Sequence, residues 1–142
     1  MTIARLIDTR DVPVIFCSIH TSVREAIATL SERRIGAMPV VDGTAVAGIF
    51  SERDVIHQLH AKGAALLDMS VGEMMTSPAI TVSPDTGALE ALALMTRRRI
   101  RHLPVLRAGR MVAFISIGDL VKYRIDRIEA EADAMRTYIQ TA

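Results

Sequence analysis

The chain has 142 residues, 50% of them hydrophobic and 23% charged, with a formal net charge of +1. That length suits one compact domain or two very small ones, and the composition excludes a disordered, collagen-like or low-complexity polymer. No apolar run approaches the roughly 20 residues of a membrane span, and near-neutral charge with 4% aromatics argues against a nucleic-acid surface.

In chain order, Met1-Thr2-Ile3-Ala4-Arg5 lacks the basic start and apolar stretch of a signal peptide. A strand is expected over Val14 to Ser18. It carries Cys17, the one cysteine, whose apolar neighbours Ile15, Phe16 and Ile19 predict a buried, inert thiol. A single cysteine excludes an intrachain disulfide framework and points to a reducing, cytoplasmic address. Val23, Ala26, Ile27 and Leu30 recur at helical spacing, with Thr21 placed as an N-cap. Two short apolar runs, Met38 to Val41 and Val46 to Phe50, flank Asp42-Gly43-Thr44 and predict a hairpin. Helical periodicity returns after Asp54. Gly63, Gly72 and Pro78 punctuate a join over 63–77.

The pattern then repeats at an offset of 65 residues. A strand is expected over Ala79 to Val82, and a helix through Ala88, Ala91, Leu92 and Met95, capped by Asp85-Thr86. A hairpin follows, Leu103 to Leu106 and Met111 to Ile115 about the turn Arg107-Ala108-Gly109-Arg110, and helical spacing resumes after Asp119. Ile35-Gly36-Ala37-Met38-Pro39-Val40-Val41 lies over Ile100-Arg101-His102-Leu103-Pro104-Val105-Leu106, and Ser51 and Asp54 lie over Ser116 and Asp119. One such unit is too small to stand alone, which predicts two units sharing a core. After Tyr123, Ile125, Ile128, Ala132, Met135 and Ile139 mark an amphipathic tail helix. The expected division is 8–62 for the first repeat, 63–77 for a linker, 78–125 for the second repeat and 126–142 for the tail.

The chain resembles a cystathionine-β-synthase (CBS) domain pair. Gly48-Ile49-Phe50-Ser51-Glu52-Arg53-Asp54-Val55 and Ala113-Phe114-Ile115-Ser116-Ile117-Gly118-Asp119-Leu120 carry the resemblance. Both have an apolar strand, a Ser, two variable residues and an Asp at the mouth of a helix. Arg101-His102-Leu103-Pro104-Val105 and Met74-Met75-Thr76 add to it. The resemblance implies an α/β (α+β) fold of two β-α-β-β-α repeats about a pseudo-twofold axis, here with a C-terminal amphipathic helix added. It also implies a non-enzymatic regulatory module binding AMP, ATP, NAD(H) or a related adenosine ligand between the repeats, without a required cofactor. Such modules commonly form homodimers, and the apolar tail stripe favours one here. A regulated protein partner follows from the sensor role.

The residues themselves agree. Ser51 and Ser116 sit at strand-to-helix junctions, where unpaired backbone N–H groups and the helix dipole favour an anion. Asp54 and Asp119, acceptor-only when ionised, suit the paired hydroxyls of a ribose. Ser-x-x-Asp is also close to a helix-capping pair, so both roles stay open. Arg53 and Arg101 are phosphate candidates, and His102 can donate to phosphate when protonated. Because Gly36 and Ala37 stand in place of Arg101 and His102, the two clefts are expected to differ. The resemblance places Pro13 to Ile15 with Ile35 and Gly36 as walls of the Asp119 cleft, and Pro78 to Ile80 as walls of the Asp54 cleft. The methyl of Ala113, where the first repeat has Gly48, is expected to narrow the approach to a ligand.

Other signals carry less. Arg97-Arg98-Arg99 ends a helix, where cations complement the dipole. His57 and His60 share a helix face without a supporting carboxylate or cysteine, so no metal site is expected. No nucleophile elbow or phosphate-binding Gly-rich loop occurs, which argues against an enzyme. The competing reading is a CBS-fold interaction or scaffold protein without a nucleotide ligand.

Overall fold

A computed structural model describes residues 2–9 and 13–142. It opens with a short helix, α1 (Ile3–Asp8), that the sequence reading did not anticipate. The first repeat follows as β1 (Cys17–Ser18), α2 (Val23–Arg33), β2 (Ala37–Asp42), β3 (Ala45–Ser51) and α3 (Glu52–Lys62). A 3-10 turn (Gly63–Asp68) and α4 (Val71–Met74) lead to α5 (Ala88–Arg98), β4 (His102–Arg107), β5 (Arg110–Ser116) and α6 (Ile117–Thr141). The second-repeat helix and the tail are therefore one unbroken helix of 25 residues.

Both hairpins are antiparallel and in matching register. Ala37 pairs with Ser51 and His102 with Ser116, and each ladder bulges at the same place, Val40/Val41 and Val105/Leu106. Their turns use positive φ at Gly43 (63°) and at Ala108 and Gly109 (51° and 77°), as tight hairpins of this hand require.

The expected first strands are shorter than the apolar runs suggested. β1 pairs in parallel with β2 through Cys17–Val40 and Ser18–Val41. Its counterpart at 79–82 shrinks to one bridge, Val82–Val105. The cause is a single residue. The Ile19 N–H donates to the Val41 carbonyl at 3.0 Å and extends the first ladder. Pro84 occupies the equivalent place and has no N–H to give.

The helix caps also lie one residue beyond the expected threonines. Ser22 caps α2, accepting from the Glu25 N–H at 3.1 Å, and Gly87 stands at the N-cap of α5. Thr21 and Thr86 instead accept from the Ser18 and Ser83 N–H groups at 3.0 and 3.2 Å, closing the loop before each helix.

A single shared core was expected, but the buried side chains form two clusters. The first holds Val23, Ala26, Leu30, Met38, Val40 and Phe50, with Leu66, Val71 and Met74 from the segment after α3. The second holds Ala88, Ala91, Met95, Leu103, Val105, Ile115 and Leu120, with Ile3 and Leu6 of α1. Each repeat is thus completed by the helix that precedes the other one. Backbone bonds fix the exchange: Ile3 N–H to Thr86 O at 2.9 Å and Val71 N–H to Thr21 O at 2.8 Å. Cys17 is buried as expected, and burial pushes its thiol up to about 11.

Candidate functional site

Each Ser-x-x-Asp motif forms a reciprocal cap at a strand-to-helix junction. The extended backbone of Ser51 and Ser116 (ψ 163° in both) turns the chain into the helix. The Ser51 N–H donates to Asp54 Oδ2 at 2.9 Å, and the Asp54 N–H returns to Ser51 Oγ at 3.3 Å. In the second repeat the same bonds measure 2.8 and 3.1 Å, between Ser116 and Asp119. Both carboxylates therefore lie at the positive end of a helix.

The two motifs differ in what meets them. Asp54 also accepts the Ser51 hydroxyl at 3.0 Å and, through Oδ1, the Thr76 hydroxyl at 2.9 Å. Thr76 is held there by two backbone bonds with Ile49, both 2.9 Å, and the Ser77 hydroxyl donates to the Ala47 carbonyl at 2.7 Å. Gly48 makes this approach possible: a Cβ there would stand 2.5 Å from the Thr76 carbonyl oxygen. Of the expected walls on this side, Pro78 is exposed, and Ile80 packs at the edge of the second core.

On the other side, the two repeats face each other across an apolar cleft of about 170 Å³. Pro13, Val14, Ile15 and Ile35 come from the first repeat, and Val112, Ala113 and Phe114 from β5. Side chains alternate along a strand, so Val112, Phe114 and Ser116 share one face of β5. His102 pairs with Ser116 across the ladder, and its ring stacks on Phe114 with centroids 5.4 Å apart at 9°. Apolar walls thus run into a polar rim of Ser116, Asp119 and His102.

His102 is half-buried, and burial lowers its pKa below the ordinary 6.5. Asp119 and Glu52 pull the other way, and the Arg101 guanidinium reinforces the lowering. Neutral imidazole is therefore the resting form at pH 7, with one N–H to donate rather than two. Gly36 sits where the repeats meet: a Cβ there would lie 2.6 Å from Glu52 Oε1 and 3.9 Å from His102 Cε1. Its carbonyl accepts the Glu52 N–H at 3.0 Å, as the Arg101 carbonyl accepts the Ile117 N–H at 2.8 Å. Arg53 and Arg101 are both exposed.

Ile15 and Ile35 line the cleft, His102 reaches it by stacking on Phe114, and Ser116, which pairs with His102, carries Asp119 through their cap. Ser51, Arg53, Asp54, Pro78 and Ile80 are not among the residues lining the cleft, although Ser51 pairs with Ala37, which is. Phe114, Glu52 and Thr76 were missed as participants. The bulge at Val105/Leu106 sets the register that puts Phe114 diagonal to His102, and the hairpin expected from the apolar runs included neither that bulge nor His102. A larger groove of about 460 Å³ runs beside Thr81, Ser83, Thr86, Glu90 and Arg97. It is built wholly from the outer face of the second repeat and contains none of the candidate residues.

The CBS domain family matches residues 7–61 and 71–126. The mitochondrial CBS domain-containing protein CBSX3 of Arabidopsis thaliana is 34% identical over 131 residues, 89% of this chain and 64% of that protein. The chain therefore spans less than two-thirds of that relative's length. A CBS-domain-containing protein of Agrobacterium tumefaciens superposes with a TM-score of 0.82 at 36% identity, covering 87% of this chain and 99% of its own. Two more distant structures share the fold: CBSX2 in complex with AMP (TM-score 0.74, 24% identity, 88% and 96% covered) and the CBS domain pair of MJ0100 with 5′-methylthioadenosine and S-adenosyl-L-methionine (0.73, 22%, 87% and 98%). No helix among the described residues is long and apolar enough to cross a membrane.

Proposed function

The chain belongs to the CBS domain family, and from that premise we propose that it binds an adenosine-containing ligand of the AMP, ATP or NAD(H) class between its repeats. CBS domain pairs are regulatory modules. The ligand reading rests on one observation: Phe114, which faces Ile15 and Ile35 across the apolar cleft, stacks on His102, and His102 pairs with Ser116, the residue that Asp119 caps. A cleft of about 170 Å³ is smaller than the roughly 300–1,000 Å³ of a pocket enclosing a whole ligand. It suits a flat base slotted between apolar walls, with sugar and phosphate at the rim. There Asp119 offers an acceptor for ribose hydroxyls. The N-terminus of α6, His102 and Arg101 offer donors for phosphate.

The two distant pairs with AMP or adenosine derivatives bound support the ligand class. On the Asp54 side the carboxylate accepts from Ser51 and Thr76. We read the assembly as a twofold homodimer regulating a partner protein, since α3 and α6 leave Ile56, Leu59, Val121 and Ile125 exposed.

A thermal-shift series with AMP, ATP, NAD and adenosine tests the ligand, because binding to the native state raises Tm by mass action. A rise with adenosine compounds and none with guanosine compounds is expected. No shift at millimolar concentration overturns the reading in favour of a scaffold that keeps the fold without a nucleotide.

A further inference from the structure

Beyond Tyr123, α6 leaves the body of the protein. Every residue of 124–141 except Ala132 is exposed. A helix standing off in water, without tertiary packing, is marginal at about this length. Its apolar residues are not scattered. Val121, Ile125, Ile128, Ala132, Met135 and Ile139 are spaced by alternating steps of four and three, the a and d positions of a heptad. The large ones are 44%, 49%, 48%, 61% and 66% exposed for Val121, Ile125, Ile128, Met135 and Ile139, so the stripe is uncovered along its whole length.

A heptad seam identifies its partner through the flanking e and g positions. With Ile125 as a, the g residues are Arg124, Glu131 and Tyr138, of which the first two are charged, and the e residues are Lys122, Glu129 and Arg136. In a parallel, in-register pair, each g residue meets the e residue five places on in the other helix. Arg124 then faces Glu129, and Glu131 faces Arg136, each pair occurring twice by symmetry. The antiparallel arrangement that keeps all six apolar layers sets Glu129 against Glu129, Glu131 against Glu131 and Lys122 against Arg136. Each of those pairs is repulsive.

We propose that the C-terminal helix docks on the same helix of a second copy of this chain, as a parallel, in-register two-stranded coiled coil. This stands apart from the ligand reading. It goes beyond the homodimer reading by fixing which surface pairs, in what direction and in what register. The intrahelical pairs Arg127–Glu131 at 3.4 Å and Arg136–Asp133 at 3.1 Å are exposed and weak, and they give way or are shared when the interchain pairs form.

The test uses the full chain with single cysteines. Ile128→Cys places a thiol at a d position, which meets itself only in the parallel register. Ala130→Cys places one on the outer face. The native thiol of Cys17 is buried and does not compete. Mild oxidation at micromolar concentration should link the Ile128→Cys protein into dimers and leave Ala130→Cys unlinked. By sedimentation, Arg124→Glu or Glu129→Arg alone should raise the dimer Kd about tenfold, a change of about one pair-reversal at each of two symmetric sites. The double variant Arg124→Glu/Glu129→Arg should return to the parent value, which a merely structural role would not produce. A dimer in which the Ile128→Cys protein stays unlinked, or that ignores both charge reversals, overturns the coiled coil and leaves the homodimer reading in place. A monomer overturns both.

Discussion

The Thr76 hydroxyl donates to Oδ1 of Asp54 at 2.9 Å, joining the chain ahead of the second repeat to the helix mouth of the first. The bond completes a carboxylate whose other oxygen is already held by Ser51. Thr76→Val should cost about 0.5–1.5 kcal/mol, the net worth of one hydrogen bond to a charged acceptor that water partly replaces. Urea denaturation measures it. A loss equal to that of Asp54→Ala would show that the cap contributes nothing on its own.

Gly48 is needed for that contact. Adding a methyl group there places a carbon 2.5 Å from a backbone oxygen, which is not a flexible neighbour. Gly48→Ala should destabilise the protein by about 1–3 kcal/mol. The reverse change at the equivalent position, Ala113→Gly, should cost less than this, because Ala113 fronts the open cleft. Thermal or urea unfolding of the two variants side by side checks the ordering.

Asp54 and Asp119 make the same cap, so one serves as the control for the other. Asp119→Ala should weaken adenosine-nucleotide binding by about 1–3 kcal/mol, the cost of leaving ribose hydroxyls without a charged acceptor. Asp54→Ala should lose stability with little change in affinity. Arg101→Ala should reduce affinity for AMP or ATP more than for adenosine. Calorimetric titration of all three ligands checks both statements, and unchanged affinity in Asp119→Ala sinks the ribose assignment.

His102 gives the fold an acid-side liability. Its pKa in the folded protein lies below the ordinary 6.5, chiefly through burial. As pH falls from about 6.5, the unfolded chain takes up the proton first. Stability is therefore full above that value and declines as pH drops through the lowered folded one. His102→Phe keeps a ring against Phe114 and removes the titration. The Tm difference between variant and parent should widen in the variant's favour from pH 7.5 to pH 5.5, and a constant difference refutes the assignment.

Arg34 and Arg99 end α2 and α5 in the left-handed region, at φ 53° and 54°. A side chain there is strained, and glycine is not. Arg34→Gly and Arg99→Gly should each stabilise the protein by about 0.5–1 kcal/mol. Neither residue carries a candidate ligand role, so nucleotide affinity should stay level. Chemical denaturation with and without AMP reads both quantities.

The offset of 65 residues and the turn residues made the two hairpins legible, and with them the placing of Ser51 and Ser116 at helix mouths. What stayed hidden was set by long-range pairing. The apolar run 79–82 reads as a strand by pattern, and only the partner carbonyl of Leu106 or Val41 reveals that Pro84 stops what Ile19 continues. The six residues of α1 have too little length for periodicity to speak, and their apolar face is explained by a repeat far along the chain. Asp54 and Asp119 look alike in sequence, and the Thr76 hydroxyl that meets Asp54 lies outside both motifs.

The exchange of leading helices sets an order of events during synthesis. Ile3 and Leu6 are made before the residues of the second repeat that pack with them, which begin at Ile80. This helix is thus made well before it can find its place. The first repeat, by contrast, can close as soon as Met74 has emerged. Until α5 and the second hairpin exist, the short apolar face of α1 remains uncovered on the nascent chain. That is the interval in which this protein is most exposed to misassociation with its neighbours, and the one a chaperone would guard.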